Sequence, residues 1–136
     1  MFLEPLQNTL VGLGISEYRI DSKTIVDETS YKNSIQKVVG VTTDTGESIL
    51  GDMTIDWTTF KNKYDEELVK YPMTLLRLER NVKILNTDWS QLDDVPAGIK
   101  TAYQSYRQAL RDLPANASPK LDDDGNLDQS SFTWPT

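Results

Sequence analysis

The helical pattern that decides the fold lies in residues 72–85, which read PMTLLRLERNVKIL. Apolar side chains recur there in steps of three and four, and the same spacing continues on both sides of the segment. The members of this seam are Phe60, Tyr64, Leu68, Tyr71, Leu75, Leu78, Val82, Leu85 and Trp89. Such spacing keeps one side of an α-helix apolar, as in a coiled coil. It predicts a helical region whose seam packs either within the chain or between copies.

Pro72 interrupts this pattern. A proline lacks the amide hydrogen of a helix interior, and its ring clashes with the carbonyl four residues earlier. It therefore either begins a new helix or kinks a longer one, and we favour two segments, about 57–70 and 72–86. Thr54 or Asp56 is placed to cap the first of them.

A third helix is predicted between Pro96 and Pro114. Apolar residues fall on one face of it at helical spacing: Ile99, Ala102, Tyr103, Tyr106, Ala109, Leu110 and Leu113. Pro114 is expected to end this helix, because the residue before a proline is biased away from helical backbone. The polar stretch 88–95 is short enough to be only a turn. The second and third helices should therefore form an antiparallel hairpin.

The first 54 residues predict β-structure instead. Residues 17–20 alternate polar and apolar side chains, and residues 24–26 and 34–41 are rich in β-branched residues, which favour strands. Residues 47–50 can return as the partner strand of the last of these. Asp44-Thr45-Gly46 has the composition of a hairpin turn between the last two runs. The same tripeptide occurs in aspartic proteases, but their chemistry needs two aspartates that share one proton, and the chain has one such tripeptide. The predicted fold class is α+β: a small N-terminal antiparallel β-sheet, a C-terminal antiparallel helical hairpin and an extended acidic tail.

Charge divides the chain into three segments. Residues 1–54 carry eight acidic and four basic residues, residues 55–114 carry nine of each, and residues 115–136 carry four and one. We predict a β-rich N-terminal module, a helical region and an extended acidic tail with these bounds. Because acidic residues outnumber basic ones by 21 to 14, the chain is not expected to bind nucleic acid, whose recognition rests on phosphate neutralisation.

The chain contains no cysteine and no histidine. It therefore has no thiol nucleophile, no disulfide and no imidazole base. A metal-dependent hydrolase would need converging carboxylates, which the spacing of the acidic residues does not provide, so we expect no enzyme, cofactor or metal centre. No apolar run approaches the roughly 18 residues that span a bilayer, and the N-terminus lacks the layout of a secretion signal. No membrane association is expected.

The acidic tail contains one calcium-like pattern. Oxygen-bearing side chains alternate over residues 122–128 like the first ligands of an EF-hand loop. The sixth and twelfth positions of such a loop hold Leu127 and Thr133 instead of glycine and glutamate. A solvated acidic linker is the expected state, and weak calcium binding stays open.

Two further groups are candidates for partner binding. Arg77, Arg80 and Lys83 recur at every third position of the second helix. This is typical of a solvated helix face, and it also suits a docking surface for an acidic segment. Trp134 stands in an otherwise polar tail. Because its large apolar ring is costly to leave in water, it either folds back on the helices or anchors another chain.

Three motifs and a closing element carry a resemblance to a known family. They are RLERN at 77–81, LNTDWSQLDDVP at 85–96, YRQALRDLP at 106–114 and Trp134-Pro135. In this order they resemble the phage tail assembly chaperones, also called tail fibre assembly proteins. The candidate partner-binding residues are Arg77, Arg80, Trp89, Tyr106, Arg107, Arg111 and Trp134. Arg107 and Arg111 also lie one helical turn apart and would pair with Asp88, Asp93 or Asp94. The motifs are therefore either a signature of the hairpin fold or a binding site.

The resemblance implies a non-enzymatic role in building a bacteriophage tail. Some relatives act transiently in the host cytoplasm, and others stay in the finished virion. The first hypothesis is a chaperone that binds a tail fibre protein or another tail protein. The second is a structural tail or fibre-attachment subunit retained in the virion, with the N-terminal β block as its attachment module. A homo-oligomer is compatible with either.

Overall fold

The computed structural model describes residues 1–136 and has the α+β class that the sequence predicts. It contains four α-helices, one short 3-10 helix and a three-stranded antiparallel sheet. The chain forms two compact units, Met1–Val69 and Lys70–Thr136. The bounds 1–54, 55–114 and 115–136 stay a prediction for domains. None of the helices is both long enough and apolar enough to cross a membrane.

The N-terminal unit is built from two short helices, the sheet and the first part of a long helix. The bounds of these elements are α1 Leu3–Gly12, β1 Tyr18–Ile20, α2 Glu28–Ser34, β2 Ile35–Val41, β3 Ser48–Asp52 and α3 Trp57–Leu85. Strand β2 lies between β1 and β3 and pairs antiparallel with both. The predicted hairpin is confirmed, because β2 and β3 are joined by a turn in which Gly46 has a φ of 69°. Glycine adopts this left-handed backbone without strain.

The strand predicted at 24–26 is wrong. These residues lie in a loop before α2, where Ile25 is buried and Val26 is exposed. Asp27 caps the helix that follows: its carboxylate accepts a hydrogen bond from the Ser30 amide at 2.8 Å, and the Asp27 amide donates to Ser30 Oγ at 3.0 Å. This reciprocal capping box fixes a helix start. It outweighs the β-branched composition of the three residues before it.

The core of the N-terminal unit brings together α1, α2, the sheet and α3. Its buried members are Leu6, Leu10, Ile25, Tyr31, Ile35, Phe60 and Tyr64. The ring centroid of Tyr31 lies 4.5 Å from that of Phe60, and the Tyr31 hydroxyl donates to the Ile55 carbonyl at 2.9 Å. Phe60 and Tyr64 are the first two members of the predicted seam, so the seam is buried at its N-terminal end.

Helix α3 is continuous through Pro72, which corrects the prediction of two segments. The proline removes one backbone hydrogen bond. Buried side chains on either side of it, Tyr64 and Leu76, favour a continuous helix, since packing supplies most helix stability in proteins. At the start of α3, Asp56 is the cap: Thr59 N donates to Asp56 Oδ1 at 3.0 Å and Thr59 Oγ1 donates to Oδ2 at 2.7 Å.

The C-terminal unit contains the end of α3, a 3-10 helix at Asp88–Gln91 and helix α4 at Ala97–Asn116. Helix α4 contacts the C-terminal end of α3 through Arg107 and the 3-10 helix through the ring of Tyr103, and the antiparallel packing of α3 against α4 stays a prediction. Pro114 does not end α4, which continues two residues further to Asn116. A proline in the last turn costs one backbone hydrogen bond and leaves the rest of the helix intact. The buried apolar side chains of this unit are Leu76, Leu110 and Leu127.

The acidic tail folds into a small turn, and the predicted extended conformation is not confirmed. Leu121 and Leu127 form an isolated antiparallel bridge around Gly125, whose φ is 83°. The Oδ1 atom of Asp122 accepts hydrogen bonds from the amides of Asp124, at 3.0 Å, and Asn126, at 2.8 Å. The acidic side chain therefore closes the turn while the two leucines hold its ends together.

Candidate partner-binding surface

Residues 86–96, which join α3 to α4, form a turn that we call the corner. The side chain of Arg107 holds this corner in place. This side chain reaches from α4, and its Nη1 atom donates to the Ile84 carbonyl at 2.9 Å, to Thr87 Oγ1 at 2.7 Å and to Asp88 Oδ1 at 2.7 Å. Only 11% of the Arg107 side chain is exposed. Because hydrogen bonds to a charged donor are the stronger kind, this contact fixes α4 against the C-terminal end of α3.

The sequence motifs were either a signature of the fold or a binding site. Contacts in the corner decide between these two interpretations for some of the motif residues. The predicted pairing of Arg107 with Asp88 is present at 2.7 Å. Ser90 is fully buried and donates from Oγ to the Thr87 carbonyl at 2.6 Å. These side chains are committed to the fold of the corner, so the motif is at least in part a fold signature. Arg111, one turn after Arg107, is exposed and forms no ion pair.

Trp89 lies in the same corner but faces outward. The residue is 50% exposed. One edge packs on Tyr103 of α4, with ring centroids 5.1 Å apart and an interplanar angle of 67°. The remaining surface of this tryptophan is open to a partner, and large half-exposed aromatic rings are common anchors of protein interfaces.

Trp134 folds back on α3, one of the two positions that the sequence left open. The Lys83 ammonium lies 4.7 Å from the centroid of its ring, a cation–π contact. The indole Nε1 donates to Gln129 Oε1 at 2.8 Å. Gln129 in turn donates from Nε2 to the Glu79 carboxylate at 3.0 and 3.1 Å. The tail is therefore fastened along the side of α3 that carries Glu79 and Lys83.

The three basic residues of α3 have different surroundings. Lys83 lies over Trp134. Arg80 is partly buried and donates from Nε and Nη2 to the Asn81 side-chain carbonyl, at 3.1 and 2.9 Å. Arg77 is exposed and forms no ion pair. Of these three basic residues, Arg77 is the one whose charged group is exposed and unpaired, and it is therefore available to an acidic partner.

Tyr106 lines a shallow pocket where the chain's last residues approach α4. The pocket has a volume of about 430 Å³ and is formed by Ala102, Tyr103, Tyr106, Pro135 and Thr136. It is the only feature that brings Tyr106 together with the Trp134-Pro135 motif. Of the seven candidate residues, Trp89 and Arg107 lie in the corner, Trp134 lies against α3 and Tyr106 lines this pocket. Arg77 and Arg80 lie on α3, and Arg111 lies on the exposed surface of α4.

The structure adds a surface that the sequence did not single out as a binding site. Leu78 and Val82 are each 55% exposed, and Leu85 is 64% exposed. With Trp89 they form a continuous run of exposed seam positions, which we call the 78–89 stripe. The periodicity that defines it was visible in the sequence. What the sequence does not show is that this face is left uncovered by the rest of the chain.

The acidic groups of the tail are arranged for turn formation. The structure has no group of three or more acidic side chains placed to hold a metal ion. Asp128 accepts hydrogen bonds from the hydroxyl and the amide of Ser130, at 2.6 and 2.9 Å, which lower the pKa of its carboxyl. Both tail aspartates that accept hydrogen bonds, Asp122 and Asp128, thus act within the tail itself.

Comparison with known proteins gives one family match, in the C-terminal part of the chain. The family described as phage tail assembly chaperone protein matches residues 73–136. No curated protein and no solved structure gives a significant match. The match supports the resemblance that 77–114 and Trp134-Pro135 indicated, and residues 1–72 lie outside it.

Proposed function

We propose that this protein is a non-enzymatic phage tail assembly chaperone that binds a tail fibre protein or another tail protein in the host cytoplasm. The observation that carries the proposal is the family match over 73–136, which nearly coincides with the compact unit Lys70–Thr136. A whole folded unit thus corresponds to the family. The exposed apolar side chains of this unit support a role in gripping another polypeptide, because apolar surface is the main source of association energy.

The candidate residues divide by their surroundings within this proposal. Arg77, Arg111 and Trp89 are exposed and are the proposed direct contacts. Arg107 is committed to the corner and positions Trp89 for contact. The remaining three, Arg80, Tyr106 and Trp134, are partly buried and would contact a partner only through their exposed atoms.

Co-expression tests the chaperone function directly. Each tail and tail fibre gene of the same phage genome is expressed with and without this chain, and the soluble yield of the tail protein is measured. We expect the yield of one of them to rise several-fold with the wild-type chain. The control is Leu110→Asp, which places a charge at a fully buried position of the C-terminal unit and should remove the effect. If no tail protein gains solubility from the wild-type chain, the proposal fails.

A second candidate function is a structural subunit retained in the virion. It is favoured by the N-terminal unit, which has its own buried core and lies outside the family match. A folded module of this kind would serve as an attachment point to the tail. Mass spectrometry of purified virions distinguishes the two functions: a fixed copy number per particle supports the subunit, and absence from particles supports the transient chaperone.

A further inference from the structure

We propose that the 78–89 stripe is the docking site for an amphipathic α-helix of the partner tail protein, with acidic residues along one edge of that helix. The inference rests on the proposed chaperone function and adds to it a surface, a kind of ligand and an orientation. Its basis is the exposure, spacing and charge of the residues along the second half of α3.

Helix α3 has two apolar faces, and the fold covers only one of them. At about 100° per residue, Leu78, Val82 and Leu85 fall within about 60° of one another around the helix axis. Leu76, which is fully buried, lies about 120° or more from each of them. The buried face packs within the C-terminal unit. The 78–89 stripe is therefore a second apolar face that the chain itself leaves without a partner.

The spacing of the stripe suits a helical ligand. Leu78, Val82 and Leu85 are separated by four and three residues within α3, the alternation that lets side chains of one helix fit between those of another. Trp89 follows in the 3-10 helix. Two folded proteins in a standard interface bury roughly 800 Å² each. Three exposed side chains in one row of α3, with Trp89 after the end of that helix, offer much less, and they match the narrow contact surface of a single helix.

Charge favours a foreign helix over a second copy of this one. The segment 70–85 carries four basic residues and one acidic residue, although the whole chain has a net charge of −7. Two copies of α3 laid against each other would bring like charges together, which opposes association. A helix with acidic residues along its edge would instead complement this local positive charge.

The two edges of the stripe differ, which orients the ligand. One edge carries Glu79 and Lys83, which are engaged by Gln129 and Trp134 of the tail. The other edge carries Arg77, which is exposed and unpaired. The tail therefore covers one side of the 78–89 stripe and leaves the other side open. The acidic edge of the bound helix should face Arg77 on the open side.

The test compares two matched substitutions in the full chain. Val82→Asp places a charge in the middle of the stripe. Val69→Asp makes the same change at a residue of α3 that is 81% exposed and belongs to the N-terminal unit, outside the family match. With the tail protein identified by co-expression as the probe, we expect Val82→Asp to weaken binding at least tenfold and Val69→Asp to leave it within about twofold, with equal helical circular dichroism. Arg77→Glu should weaken binding less, and added salt should reduce its effect.

The outcomes separate this inference from the proposed function. If the wild-type chain binds the tail protein and Val82→Asp binds it equally well, the docking site is refuted and the chaperone function stands. If the wild-type chain binds no tail protein, both are refuted. If Val82→Asp abolishes a dimer of this chain in sedimentation experiments and leaves tail-protein binding unchanged, the occupant is a second copy and the inference is overturned.

Site-specific crosslinking identifies the occupant. Because the chain has no cysteine, Val82→Cys offers a single thiol for a benzophenone label, and Val69→Cys is the matched control. The crosslinked peptide should come from the tail protein, carry apolar residues in steps of three and four, and contain aspartate or glutamate beside them. A crosslinked peptide without helical spacing or acidic residues would contradict the proposed ligand.

Discussion

Arg107 is the single side chain on which the corner of the C-terminal unit depends most. One nitrogen of its guanidinium serves a carbonyl, a hydroxyl and a carboxylate that belong to three successive parts of the corner. We expect Arg107→Ala to lower the free energy of unfolding by about 2–3 kcal/mol, because hydrogen bonds to a charged group are lost and the groups they served are left unpaired. Urea denaturation followed by circular dichroism measures this change.

The control for Arg107 is the other arginine of the same motif. Arg111 is exposed and forms no ion pair, so Arg111→Ala should change the free energy of unfolding by no more than about 0.5 kcal/mol. If Arg107→Ala and Arg111→Ala lowered the free energy of unfolding equally, the hydrogen bonds that Arg107 makes in the corner would not be the cause of its effect.

Tyr31 should give the protein an alkaline transition of its own. Burial, with a smaller contribution from the nearby Asp56 carboxylate, raises the pKa of Tyr31 to about 12. Because the ordinary tyrosine pKa of 10.0 applies to the unfolded chain, the stability from neutral Tyr31 is complete below pH 10 and is lost as the pH rises from 10 to 12.

Ultraviolet titration of tyrosinate tests this assignment. Burial also raises the pKa of Tyr64, so two tyrosines should ionise late, and Tyr31→Phe should reduce the late absorbance change by the share of one tyrosine. Tyr64→Phe should leave the share of Tyr31 in place. A late change of the same size in Tyr31→Phe and in the wild type would assign it to other groups.

At the scale of elements, Pro72 is the clearest case of a local signal overridden by packing. The helix passes through it although the proline removes a backbone hydrogen bond. Pro72→Ala should raise the free energy of unfolding by about 1–3 kcal/mol, since the restored bond outweighs the greater freedom of alanine in the unfolded chain. Urea denaturation measures the gain.

Pro5 provides the comparison for Pro72. It stands in the first turn of α1, where backbone amides have no partner within the helix. Pro5→Ala should therefore produce no stabilisation. A loss of stability in Pro72→Ala would mean that the fixed backbone angle of the proline matters more than its missing hydrogen bond.

Elements defined by local chemistry were predictable from the sequence. The hairpin follows from a glycine turn after a β-branched run, and Asp56 precedes α3 at the position of a cap. Helix α1 was missed because it is short and stands where β-structure was expected, although Leu6 and Leu10 recur at helical spacing. Two apolar leucines six residues apart likewise gave no sign that the tail would close into a turn.

The seam shows what periodicity cannot decide. It correctly indicated that Leu78, Val82 and Leu85 share one face of a helix. It did not indicate that Leu76, on another face, would be the buried residue. Burial depends on contacts between residues that are distant in sequence, and α3 has apolar side chains on both faces. The same limit applies to Arg107, whose pairing with Asp88 was predicted while its bond to the Ile84 carbonyl was not.

At the scale of the whole molecule, acidic caps make stability depend on pH. Hydrogen bonds from Ser30 lower the pKa of Asp27, hydrogen bonds from Thr59 lower the pKa of Asp56, and Asp128 is affected in the same way by Ser130. A carboxyl whose pKa is lower in the folded state favours folding when it is ionised. Its contribution is therefore complete above the ordinary value of 3.8 and is lost as the pH falls below it.

The double substitution Asp27→Asn and Asp56→Asn tests this dependence in both helices at once. Asparagine caps a helix about as well as aspartate but does not titrate in this range, so the variant should remain folded at neutral pH and lose less stability than the wild type between pH 4 and pH 2. Thermal unfolding at a series of pH values measures the two slopes. The wild type should have the steeper decline in midpoint temperature, because its unfolded state takes up protons that its folded caps resist. Parallel declines would mean that the caps do not cause the acid sensitivity and that other acidic residues of this chain, whose net charge is −7, control it.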